Sequence, residues 1–269
     1  MPYEVGPRLL LALVSLCAVP ISQAAVQAIS DAGALASPLL APGTGLSLVG
    51  GPFLNDLSAA GLVNPDGGIV LSTGLASEVN RPAAVRVNHS LGRPGLTFLE
   101  GIAGAAFATG RDAGMLELVL RAGAWVTGGA FDFRFATDEP AGTPAPTAFN
   151  DAFAVRLFRP AGSTTGPNVA LHEGAPITVN TAPLTNASYD AFDRSTDLLT
   201  ARFELSPGEE FKLIFMLSDI GNGAGDSAVY LSNLQAVPEP STSALLASGL
   251  LAALLWVGRS RRPLRARRT

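Results

Sequence analysis

The sequence predicts an all-β body, an antiparallel β-sandwich of jelly-roll type, flanked by an N-terminal signal helix and a single C-terminal transmembrane helix. Three observations carry this reading. Short segments alternate apolar and polar residues, and Gly, Pro, Asn and Asp turns divide them. Between residues 25 and 236 there is also no amphipathic stretch long enough for a major helix.

Taken in order, residues 25–71 are weakly patterned, with scattered Gly and Ala and one short helix expected over 55–61. Residues 68–74 read as a strand and turn. Residues 115–121 and 130–136 alternate, the second placing Phe131, Phe133 and Phe135 on one face and Asp132 and Arg134 on the other, which is the period of a half-buried strand. The segment 137–147 is a Pro/Gly/Thr loop containing Asp138 and Glu139. Residues 152–158, 199–205, 211–217 and 228–231 supply four more strands, with the turn Ser206-Pro207-Gly208-Glu209 joining two of them as a hairpin. Six or more such strands with one wet face pack most simply as two sheets, and a partly open barrel is the alternative.

The ends differ from the body. Residues 9–21 are apolar, follow Arg8 and precede Ser22-Gln23-Ala24, so they read as a secretory signal peptide cleaved after Ala24. As a helix this run reaches about 20 Å, short of a bilayer core. The sole cysteine, Cys17, leaves with the signal, so the exported body of about 210 residues depends on its core and not on disulfides. At the other end, Ser241 to Gly258 carries no charge and spans about 27 Å as a helix, enough for a membrane segment of minimal length. Arg259, Arg261, Arg262, Arg265, Arg267 and Arg268 follow it. Arginines on one side only put that end in the cytoplasm and the body outside. The predicted organisation is therefore a signal peptide over 1–24, a β-sandwich over 25–236 and a sorting signal over 237–269, with its span at 241–258 and its Arg-rich tail at 259–269.

Charge excludes one class of partner. The formal charge of −4 conceals an asymmetry. Once Arg8, the six tail arginines, Glu4 and Glu239 are set aside, 11 basic and 20 acidic residues remain, and a body near −9 is no binder of nucleic-acid phosphates.

Pro238-Glu239-Pro240, a short hydrophobic span and a terminal Arg cluster closely resemble the PEP-CTERM sorting signal of Gram-negative bacteria, a tail also labelled the ice-binding protein C-terminal domain. That label implies nothing about ice. The resemblance implies that an inner-membrane exosortase recognises Pro238, Glu239 and Pro240, with Arg259, Arg261 and Arg262 beyond the span, and removes the tail. It further implies an association with extracellular polysaccharide and biofilm matrix. Within the body, residues 68–74, 135–139, 149–153 (Phe-Asn-Asp-Ala-Phe), 167–170, and 218–220 through 226–231 are similar, in this order, to the choice-of-anchor L domain. That family brings no established catalytic activity. The sequence departs from its pattern at Pro140, where an aromatic usually follows the acidic pair, and at Arg156 and Arg159.

Two histidines, His89 and His172, no body cysteine and no Gly-x-Ser-x-Gly elbow give nucleophilic catalysis and zinc little support. Twenty acids offer many pairs for a glycosidase and select none. Calcium is the sharper possibility, because it takes six to eight oxygens from carboxylates, amides and carbonyls. Asp219, Asn222 and Asp226 lie in one glycine-rich loop, and Asp138, Glu139, Asn150 and Asp151 flank another. The plainer reading makes these residues turn formers and strand caps. For sugar contact, Trp125, Tyr189 and Tyr230 are the candidates, Trp125 being the one expected at the surface.

The expectation is thus a non-enzymatic protein without cofactor, exported and held transiently in the inner membrane, then placed at the cell surface or in the extracellular matrix. Its partners would be the Sec translocon, signal peptidase and exosortase, with exopolysaccharide as neighbour. A secreted carbohydrate-active hydrolase and a calcium-dependent adhesin are the alternatives.

Overall fold

A computed structural model describes residues 25–40, 43–64, 67–81, 87–104, 109–139, 149–186, 189–221 and 225–238. Ala24 and the signal segment, Pro140, Asn222, Glu239, Pro240, the expected span at 241–258 and Arg259, Arg261 and Arg262 lie outside these residues. No helix among the described residues is long and apolar enough to cross a membrane.

The body is nearly all β, two seven-stranded antiparallel sheets packed face to face. The first sheet runs β1 (Ala25–Ala28), β4 (Ala60–Asn64), β5 (Ile69–Ser72), β14 (Ser227–Pro238), β7 (Val126–Thr137) and β11 (Arg194–Ser195), with β12 (Leu199–Glu204) also on β7. The second runs β2 (Leu46–Leu48), β6 (Gly110–Ala122), β13 (Glu210–Ile220), β8 (Ala152–Phe158), β10 (Ala175–Thr178) and β9 (Leu171–His172), with β3 (Phe53–Leu54) also on β6.

Alternation builds the core. From the first sheet come Phe131, Phe133, Phe135, Val229 and Leu231. From the second come Leu116, Leu118, Leu120, Phe153, Val155, Phe211, Leu213, Phe215 and Leu217, and all of these are buried in one cluster. Aromatic rings lock the two layers together, Phe131 against Phe215 edge-on at 5.4 Å and Phe133 against Phe153 at 5.4 Å. Each Phe so placed is worth about 3–5 kcal/mol against alanine.

Two short helices lie outside the sheets. α1 (Gly33–Leu39) buries Leu35 and Leu39 against the main core, and α2 (Thr97–Ala103) covers the outer face of β8 and β13 through Leu99, Ala103, Ala154 and Met216.

Three local expectations change. The helix expected over 55–61 is a single 3₁₀ turn, Leu57–Ala59, capped by Asp56 through the Ser58 amide, and the chain then enters β4. The turn at 206–209 joins no hairpin, because β12 belongs to the first sheet and β13 to the second, so it crosses between layers. The strand expected over 228–231 runs on to Pro238 as β14, paired with β7 as far as Pro238 opposite Val126. A β-bulge between Ser232 and Gln235, with Asn233 at φ 53°, restores the inward direction at buried Leu234.

Candidate functional site: the carboxylate pole

Strand ends gather at one pole of the sandwich, and nearly every one of them brings an acid. β7 is followed by Asp138 and Glu139, β8 begins after Asn150 and Asp151, β13 ends at Asp219 and Ile220, β14 begins after Asp226, and β6 carries Asp112 near its start. All of these side chains are buried. The sequence put Asp219 and Asp226 in one loop and Asp138, Glu139 and Asp151 beside another, and the fold brings both loops to this pole.

Asp112, Arg93 and the hydroxyls of Thr73, Thr137 and Ser227 were missed. Asp112 breaks the apolar alternation of β6 and adopts φ 47°, a left-handed conformation that Asp tolerates better than most residues. An acid at the first turn of a strand was the available signal.

Burial of so many carboxylates is costly unless their oxygens are bonded. Here they accept from the main chain. Asp138 takes the Val87 amide at 2.5 Å on one oxygen and the Asp193 amide at 3.0 Å on the other. Asp226 takes the His89 amide at 3.0 and 3.1 Å. Asp112 accepts from the Arg93 amide at 2.9 Å and from Ser90 Oγ at 2.8 Å. Three carboxylates on three strands therefore hold the segment from Val87 to Arg93, doing for it what a strand neighbour would. Asp151 works inward. It accepts the Ile220 amide at 3.0 Å and the Ser227 hydroxyl at 2.6 Å, and Ser227 Oγ, its one proton given to Asp151, accepts from the Thr137 hydroxyl at 2.8 Å. Asn150 closes the rim, accepting from the Asn180 amide and donating to the Ala103 carbonyl at the end of α2.

Arg93 is a cation at this pole, 3.4 Å from Asp56 and drawn also by Asp112 and Asp219. Burial pushes the Asp151 carboxyl up to about 7. Burial, then the neighbouring Asp151 charge, holds Asp219 well above the usual carboxylate range. Asp226 is raised to about 6, again chiefly by burial. Two adjacent buried carboxylates cannot both ionise cheaply, so the Asp151 and Asp219 pair retains a proton near neutrality.

Among the described residues no group of three or more His, Cys, Asp or Glu side chains is arranged to hold one metal ion. Oxygens of Asp138, Asp226, Asp112 and Asp151 that face the interior already accept amide or hydroxyl protons, and a cation would have to displace them.

The candidate sugar contacts separate. Tyr230 is buried and meets Tyr189 edge-on at 4.7 Å, while the Arg134 guanidinium covers Tyr189 at 4.3 Å. They line a groove of about 270 Å³ with Leu198, Ser232 and Asn233, but the stacking faces are occupied by one another and by Arg134. Trp125 stands at the opposite pole, in the turn between β6 and β7.

Comparison with known proteins adds two matches. The choice-of-anchor L domain matches residues 51–235, and the PEP-CTERM protein-sorting motif matches residues 236–262. A comparison with curated proteins gave no match. Among solved structures the chain is similar to a carbohydrate-binding module specific for non-crystalline cellulose, CBM28, at 9% identity and a TM-score of 0.36, covering 75% of this chain and 94% of that one. It is also similar to a CBM4 structure at 13% identity and a TM-score of 0.18, covering 52% of this chain and 81% of the other. Likenesses at that distance carry no conclusion about a ligand.

Proposed function

Because the chain belongs to the choice-of-anchor L domain family and ends in a PEP-CTERM protein-sorting motif, which implies export and processing by exosortase, we propose that it is a non-enzymatic structural or binding protein of the cell surface or extracellular matrix. The observation that carries this is the junction. The family match ends at Gln235 and the motif begins at Ala236, both inside β14, so the sorting signal issues directly from a central strand of the folded body. The product of processing is a whole sandwich with its sheet intact.

The partners in transit are the Sec translocon, signal peptidase after Ala24 and exosortase at Pro238-Glu239-Pro240, and exopolysaccharide is the expected neighbour. A non-catalytic role is supported by the carboxylate pole, where Asp112, Asp138, Asp151 and Asp226 accept main-chain amides. Replacing Pro238, Glu239 and Pro240 together by alanine should leave full-length protein in the inner membrane. Release at the normal rate would defeat the proposal.

The concentration of acids at one pole keeps a calcium-dependent adhesin as the second reading, with Asp138, Glu139, Asp151, Asp219, Asn222 and Asp226 as its ligand candidates. Calorimetry with Ca²⁺ on the purified body separates the two readings. Heat of binding and a raised melting temperature that a chelator reverses favour the adhesin, and their lack favours the plain structural role.

A further inference from the structure

The turn Gly123-Ala124-Trp125 carries the chain from β6 in one sheet to β7 in the other, and its backbone is held from two sides. The Gly123 amide donates to the Gly45 carbonyl at 2.8 Å, and the Gly123 carbonyl accepts from Gly208 at 3.2 Å and from Val126 at 3.3 Å. On this fixed support Trp125 leaves 78% of its surface in solvent, the most of any large hydrophobic residue among those described. A pinned and exposed indole is what an interfacial contact requires, since its apolar body and N–H suit the boundary between headgroups and hydrocarbon.

Its position fits that use. Val126, the next residue, pairs with Pro238, the last described residue of β14. Three residues further on, at Ser241, the uncharged stretch begins. Three extended residues cover at most about 10 Å, so when the tail lies in a bilayer the β6–β7 turn is brought to the membrane surface.

Charge agrees with the placement. At this pole Arg159 is paired with Glu209 at 2.6 Å and Arg121 with Glu210 at 3.0 Å, so these four groups sum to no net charge. The carboxylates collect at the other end of β14, farthest from anionic headgroups.

We propose that Trp125 docks this pole into the interfacial zone of the membrane before tail removal, fixing the orientation of the body and holding Pro238-Glu239-Pro240 at the membrane surface. The docking rests on the reading of residues 241–258 as a membrane span.

The chain has two tryptophans, Trp125 in the body and Trp256 in the uncharged stretch 241–258. Full-length protein carrying Trp256→Phe or Trp125→Phe, reconstituted in vesicles of phosphatidylethanolamine and phosphatidylglycerol, reports each indole alone. With Trp256→Phe, lipids brominated near the headgroup should lower the Trp125 emission to roughly half and shift it to the blue, as for an indole at the interface. With Trp125→Phe, Trp256 should be quenched by lipids brominated deep in the acyl chain. Quenching of Trp256 with Trp125 unquenched and open to acrylamide would overturn the docking and leave the span standing. If neither indole is quenched, the span itself falls and the docking with it. In cells, Trp125→Ser should slow tail removal several-fold and Trp125→Tyr should restore it, whereas equal rates in all three would count against the inference.

Discussion

The two poles of the sandwich are joined by the same long strands and are built on opposite principles. At one, Asp112, Asp138, Asp151, Asp219 and Asp226 are buried, and all but Asp219 spend oxygens on amides of neighbouring segments. At the other, Arg121, Arg159, Glu209 and Glu210 form ion pairs in contact with water, and the Trp125 side chain is bare. Buried polar bonds are costly to break and exposed ion pairs are cheap, so the first pole is a structural lock and the second is free to serve as a contact surface.

The largest expected break is Gly74→Ala. A Cβ there would land on the Asp226 carboxylate, which must move off the His89 amide. A loss of about 4 kcal/mol is expected from overpacking plus the orphaned amide, read as a lower midpoint in urea. Asp138→Ala comes next. It strips the Val87 and Asp193 amides of their common acceptor and should cost about 3 kcal/mol by the same assay. If either variant melts like the parent, the lock is not where stability resides.

Proton linkage gives a third test. Asp151 is raised in the fold to about 7 and Asp226 to about 6, above the ordinary value of 3.8. Between the unfolded and folded values the native state binds more protons than the unfolded chain, so this contribution is complete below about 4 and is lost as pH rises through about 7. The melting temperature should fall by roughly 5 °C from pH 5 to pH 8, and Asp151→Asn should flatten much of that slope. A rise over that interval would reverse the assignment.

The smallest effect belongs to the other pole. Arg159→Ala removes a two-oxygen contact with Glu209, yet the pair is partly solvated, and the cost should stay below about 1 kcal/mol. A larger loss would erase the contrast between the ends.

Much of the fold was legible because the core strands follow one rule. Ala152–Phe158 is a strand to the residue expected, and Phe131, Phe133 and Phe135 all turn inward. What alternation does not encode is which sheet a strand joins, and so the turn at 206–209 read as a hairpin when it crosses layers. Beyond Leu231 the bulge at Asn233 breaks the period of two, which hid the second half of β14. α1 and α2, each 7 residues, lack side-chain caps and have no sequence signature apart from their packing.

At the site, the acids were readable one loop at a time as turn formers and strand caps, whereas the meeting of the two loops belongs to the fold. Asp112 was lost because a charge within an alternating strand looks like a solvent-facing position. That the carboxylates turn to amides from residues 87–93 depends on a long-range fold no local pattern carries.

One feature of β14 bears on how such a body would behave on a moving cell. The strand is flanked by β5 and β7, antiparallel to both, with ladder bonds lying across its axis. Tension applied at Pro238 pulls along that axis, so the bonds to both neighbours are strained in shear, many at once, and do not open one by one from a free edge. While the tail still holds the chain, drag from flowing liquid would thus meet the stiffest direction the sandwich possesses.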